Sequence, residues 1–179
     1  MTSTYDGRPD DTPDWTAPDV ERPDGDALGD ERATVLGYLA FHRSTMLLKC
    51  AGLGGEALAQ RSVPPSSISL LGLVRHMAKV ERIWFPIRFA GQDIEPLFPV
   101  RDSDFDEVDP ANAERDYALL LEEQRRADEV IAAASFDDTF DHGGESNLRT
   151  LLQHVIHEYA RHNGHADLVR ECIDGVTGV

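Results

Sequence analysis

Glu158 and His162 stand four residues apart in the segment LLQHVIHEYARHNGHADLVRE. In a helix a residue advances about 100°, so this spacing stacks a carboxylate over an imidazole on one face. The same arithmetic puts Leu148, Leu151, Val155, Ala166, Val169 and Ile173 on that face, with Glu158 and His162 in the middle of the apolar stripe. Burying either group without a partner costs several kcal/mol, so something must satisfy both. Two readings do so. One is a buried Glu–His hydrogen bond, extended by an arginine from another helix. The other is a divalent metal, which neutralises the carboxylate and takes an imidazole lone pair. A metal needs a third protein ligand, and His76 supplies it, beside the apolar stripe of SISLLGLVRHMAKVERIWF. Two histidines and a glutamate with an open position form a catalytic zinc pattern, and they also match the facial triad of non-haem iron. A di-iron site of the ferritin type is disfavoured, because it requires a Glu-x-x-His pair on each of two helices.

Other polar residues flank this set. His154 and His165 lie beside the stripe on the side of Glu158, where either serves as a group behind the ligands or as a replacement ligand. His157 points further from the core, and His142 precedes the helix. In the first helical stretch Arg43 falls within the apolar stripe and His42 at its edge. A guanidinium there must find an anion, and Glu158 or an anionic substrate would serve. Arg43 and His165 are therefore the candidates for catalytic roles around a metal held by His76, Glu158 and His162.

Four stretches of helical period must position these groups, and no alternating strand pattern is evident. The first spans about Asp30 to Cys50, with Val35, Leu36, Leu39, Met46 and Leu47 on one face and Gly52, Gly54 and Gly55 after it. The second has Ser69 as N-cap, a stripe through Leu70, Leu73, Met77, Val80, Trp84 and Ile87, and a stop near Gly91. The third starts with Asp109 as cap and Pro110 in the first turn and continues to about Ala134. The fourth opens near Ser146 or Asn147 and runs to Ile173, with Gly175 as its stop. An all-α four-helix bundle follows, with the two long connections allowing a crossover or a pocket wall.

The chain has 179 residues, 33 Asp and Glu against 17 Lys and Arg, and a net charge of −16. Nucleic acids and anionic membranes need a basic footprint, which argues against either as the principal partner. No apolar run approaches the roughly 20 residues of a spanning helix, and the acidic N-terminus is unlike a signal peptide. The expected location is cytoplasmic. Much of the charge is local: residues 1–30 carry nine acids and two arginines, and so do residues 93–116. Residues 1–28 read as an acidic, Pro-rich tail, disordered in isolation unless Trp15 pins it, ahead of a domain over 29–179. Residues 93–116 read as a solvated loop, with a lid over the site as the alternative. Cys50 and Cys172 cannot form a disulfide framework and read as buried free thiols.

The two quoted helices resemble the DinB-like superfamily of metal-binding four-helix bundles, and the resemblance extends from about Gly29 to Gly178. The family pattern is a histidine on the second helix, then on the fourth a ligand, three residues, and a histidine before a short polar-Gly-polar step. Here that pattern falls on His76, Glu158 and His162, with His162-Asn163-Gly164-His165 as the last step. Many members have histidine where this chain has Glu158, whereas mycothiol-dependent maleylpyruvate isomerase is similar in using glutamate. The resemblance implies an up-down-down-up bundle and a metal-dependent thiol transferase or isomerase. It implies zinc, ahead of nickel or ferrous iron, and a low-molecular-weight thiol such as mycothiol as cosubstrate. Partners would be that thiol and a small electrophile, on a monomer or homodimer. Two other readings share the residues: a non-catalytic, stress-related binding protein with a structural or vestigial site, and a metal-dependent hydrolase using bound water.

Overall fold

A computed structural model describes residues 14–25 and 28–178. The chain is predominantly helical: α1 (Glu31–Leu48), α2 (Gly55–Ala59), α3 (Leu70–Arg82), α4 (Ser103–Asp106), α5 (Ala113–Ala132) and α6 (Leu148–Asp174). Side chains start the long helices where the sequence places caps. Asp30 accepts from the Ala33 N–H, Ser69 from Gly72, and Asn147 from Thr150. Asp109 caps a short 3-10 turn, Pro110–Asn112, that leads into α5. α3 continues as a π-helical turn, Ile83–Phe89, instead of an α-helix to Gly91. The cause is Pro86, which has no N–H and whose ring would meet the carbonyl of Arg82, so the ladder widens to the Ala90 N–H bonding Phe85 O.

Cross-helix pairs fix the directions. Arg75–Asp116 and Arg82–Glu123 step forward together along α3 and α5, so these helices run parallel. Glu31–Arg149, His42–Asn163 and Lys49–Asp167 do the same for α1 and α6. Tyr159 bonds Glu81 while Trp84 meets His154, so α3 and α6 are antiparallel. Leu39, Met46, Leu70, Leu73, Met77, Leu120, Leu148, Leu151 and Val155 fill the centre with 2% exposure or less. Each buried leucine contributes roughly 1.5–3 kcal/mol.

A parallel α3–α5 pair requires the chain to travel back along the length of α3 between them. Residues 90–112 make that return and are not simply solvated, contrary to the loop reading above. Asp104 and Asp116 are 2% and 1% exposed, and Arg75 clamps the connection by donating to Asp104 O, Ser103 O and the Asp116 carboxylate. α4 rests on α3 at Gly72, where an added Cβ would lie 3.3 Å from the Phe105 ring.

One further expectation is corrected, that of a buried Cys172, and two are refined. A two-stranded hairpin, β1 (Thr139–Asp141) and β2 (Glu145–Asn147), precedes α6, too short to leave an alternating pattern. Cys172 is exposed, whereas Cys50 is buried. Residues 14–25 of the acidic tail lie against the helices: the Trp15 ring meets Tyr117 edge-on at 5.7 Å, and Ala17 exchanges backbone hydrogen bonds with Leu53 and Gly52. The remainder of the tail, residues 1–13, 26 and 27, lies outside the described residues.

α2 approaches the Pro110 turn so closely that a Cβ on Gly55 would stand 2.2 Å from the Pro110 carbonyl oxygen and 3.3 Å from the Ala113 Cβ. Backbone must move to admit it. Gly55→Ala is expected to destabilise the protein by about 1–3 kcal/mol, read as a Tm fall of about 2–4 °C for each kcal/mol. An unchanged Tm would show that α2 shifts freely.

Candidate metal centre

His76 of α3 and Glu158 and His162 of α6 converge, each offering a ligand atom, with the three atoms within 4.8 Å of one another. The imidazole centroids of His76 and His162 are 4.6 Å apart, and His162 Nε2 is 3.5 Å from a Glu158 oxygen. The antiparallel crossing of α3 and α6 brings together groups 82 residues apart in sequence.

Asp104, from the returning connection, sits behind His76 with Oδ2 2.8 Å from Nδ1 and Oδ1 3.0 Å from Lys79 Nζ. Burial opposes its charge, but the hydrogen bonds from His76 and Lys79 outweigh it and hold the carboxyl down at about 2. An ionised carboxylate only accepts, so the His76 proton belongs on Nδ1, and the Nε2 lone pair is left for a ligand. Phe105 stacks on the same ring at 4.8 Å.

His162 is oriented from its other side, with Nδ1 3.3 Å from His165 Nδ1. Burial, with the neighbouring His76, His165 and Arg161 adding to it, pulls its pKa down to about 3, so it is neutral near pH 7. A neutral imidazole is the form that ligates. The donor set thus fits a divalent cation: two imidazoles, that of His162 neutral, and one carboxylate. Glu158 also lies 3.9 Å from His154 Nε2.

Arg43 is placed differently from the expected pairing with Glu158. Its Nε and Nη2 donate to the two oxygens of Glu81 at 2.8 and 2.7 Å, and Nη1 donates to Asp128 at 2.6 Å. Glu81 is fully buried and also accepts from the Tyr159 hydroxyl at 2.8 Å, which in turn accepts from Gln124. Burial opposes charge on Arg43, but Glu81, Tyr159 and Asp128 together outweigh it and keep the guanidinium protonated. The sequence reading missed Glu81 and Asp104. Glu81 was detectable, since it stands four residues after Met77 and three before Trp84, inside the stripe.

His157 is exposed. His142, at the hairpin, and His154 both meet the Trp84 ring, at 5.0 and 4.4 Å. No helix among the described residues is long and apolar enough to cross a membrane.

No curated protein matches the chain. Comparison with known families matches residues 34–175 to the one described as mycothiol-S-transferase, a span containing all three ligand candidates and both groups behind them. With that match spanning the helical domain from α1 to the end of α6, the chain belongs to the mycothiol-S-transferase family.

Proposed function

We propose that the protein is a zinc-dependent thiol S-transferase that joins mycothiol, or a thiol like it, to a small electrophile. The observation that carries this reading is the convergence of His76, Glu158 and His162 within 4.8 Å, inside the span matched to the family. When bound, zinc would supply an open coordination position at which a thiol is held as thiolate at neutral pH. The chain's own residues do the rest. His76 and His162 would present Nε2 lone pairs, and Glu158 would present a negative oxygen. Asp104 keeps the His76 proton on Nδ1. His165 pairs its Nδ1 with His162 Nδ1, which would make it a positioning residue. Arg43 has its Nε, Nη1 and Nη2 committed to two acids, so we assign it to the scaffold in preference to the substrate.

The parallel pairs α1–α6 and α3–α5, with α3 antiparallel to α6, support an up-down-down-up four-helix bundle of the DinB-like type over residues 29–179. The acidic surface and the absence of a long apolar helix among the described residues are consistent with a cytoplasmic protein acting as a monomer or homodimer on small molecules.

Full-length protein purified without chelator is expected to hold about one zinc per chain, and His162→Ala is expected to lose it. Consumption of an electrophile such as monobromobimane should then require both thiol and metal. A metal-free unmutated protein would overturn the reading, and thiol-independent turnover would move it to a hydrolase.

A further inference from the structure

The seam between α3 and α6 continues past Glu158, toward the π-helical turn. There Trp84 is met by His154 from α6 at 4.4 Å and by His142 from the hairpin at 5.0 Å, while the Arg88 guanidinium lies 4.2 Å over the indole. Contact is continuous with the metal centre, because His154 Nε2 is 3.9 Å from the Glu158 carboxylate whose other oxygen faces His162. His154 and Glu158 are four residues apart, which puts these two side chains about 6 Å apart along α6.

Arg88 is unusual in this chain. From Arg32 onward, every other described arginine except Arg161 donates to a carboxylate or backbone carbonyl. Arg88 has no acid or carbonyl partner among the described residues, in a protein of net charge −16. A guanidinium held over an indole by its charge leaves its N–H donors uncommitted, and their fork geometry matches a carboxylate. The two imidazoles on the same Trp84 ring add ring N–H donors to the seam.

We infer that Arg88, held over the Trp84 ring that His142 and His154 also meet, is the recognition site for a carboxylate on the electrophilic substrate. The inference rests on the transferase reading for what the bound molecule then does. A substrate held here would carry its acid group on the far side of Trp84 and His154 from Glu158, along the same seam as the metal centre. The hairpin that supplies His142 is then part of substrate selection.

Binding can be tested apart from metal and thiol. In full-length, chelator-treated protein, benzoate and its neutral counterpart benzamide are titrated while the Trp84 indole N–H is followed by NMR. Chelation prevents benzoate from being counted as a metal ligand. Benzoate is expected to shift the Trp84 signal saturably and benzamide to do so far more weakly. Arg88→Gln should raise the benzoate Kd by about tenfold or more, the loss of a charge-assisted pair, and Arg88→Lys should recover part of it. Arg161→Gln, which removes the same charge elsewhere, should leave binding unchanged. Equal binding of the two probes, no Trp84 shift up to the solubility limit, or equal loss in the Arg161 variant would overturn the inference. Zinc content and thiol dependence decide the proposed activity, so the two can fail separately.

Discussion

Arg43→Met is expected to lower stability by about 3–5 kcal/mol, because it strands a buried carboxylate. Glu81 has no exposed surface, and both of its oxygens accept from Arg43 at 2.7–2.8 Å. Methionine preserves much of the aliphatic stem's packing and removes only the charge and its donors. The Tyr159 hydroxyl, still bonded to Glu81, cannot neutralise it. Asp128 is largely exposed and can turn to water, so it adds little to the loss. Set against a typical total of about 5–15 kcal/mol, a loss of that size is a large fraction of the folding free energy.

The matching double substitution separates scaffold from substrate anchor. Arg43→Met combined with Glu81→Leu removes both charges and replaces them with apolar volume, and replacements of that kind recover most or all of the loss in other buried pairs. Denaturant titration should show the double variant well above the single one, and thiol-transfer activity should return with stability. Recovery of stability without activity would instead return Arg43 to the substrate side. A single variant within about 0.5 kcal/mol of the unmutated protein, the range of ordinary surface changes, would show that Glu81 finds another partner.

The parts of this molecule that were legible in sequence are those decided within one helix. Asp30, Ser69 and Asn147 cap helices because each accepts from an N–H three residues on, a contact that needs no tertiary fold. Glu158 and His162 were visible as polar residues in an apolar stripe because one helix fixes their relation. His76 was weaker evidence, since its distance from α6 depends on how two helices cross. Asp104 was invisible: it sits in a connection without period, and its burial follows from α3 and α5 being parallel. That direction left a trace, since Arg75 and Arg82 are seven residues apart and so are their partners Asp116 and Glu123. Seven residues is two helical turns, so each pair of charges repeats on one face. Trp15 was undecidable from composition because a single ring contact with Tyr117, together with the Ala17 backbone bonds, settles the matter.

Asp104→Asn is expected to weaken metal binding by about 10–100-fold although Asp104 is not among the three ligand candidates. Its carboxylate fixes the proton on His76 Nδ1 and raises the basicity of Nε2 on the far side of the ring. An asparagine oxygen can still accept from Nδ1–H, so the ring stays oriented, but the negative charge is gone and Lys79 is left beside a neutral amide. Asp104→Ala removes the acceptor too and should lose more. Neither change should undock the connection, because Arg75 holds it through the backbone carbonyls of Ser103 and Asp104 and through Asp116, none of which involves the Asp104 side chain. Zinc affinity measured by competition with a chromophoric chelator, alongside Tm of the metal-free forms, separates the two effects. The expected order of affinity is unmutated, then Asn, then Ala; the metal-free Tm should fall in the same order, because the variants lose the buried charge that His76 and Lys79 hold, while each remains folded. If the Asn variant held zinc as tightly as the unmutated protein while Ala did not, orientation alone would account for the role of Asp104 and its charge would be irrelevant. Equal affinity in all three would remove Asp104 from the site altogether.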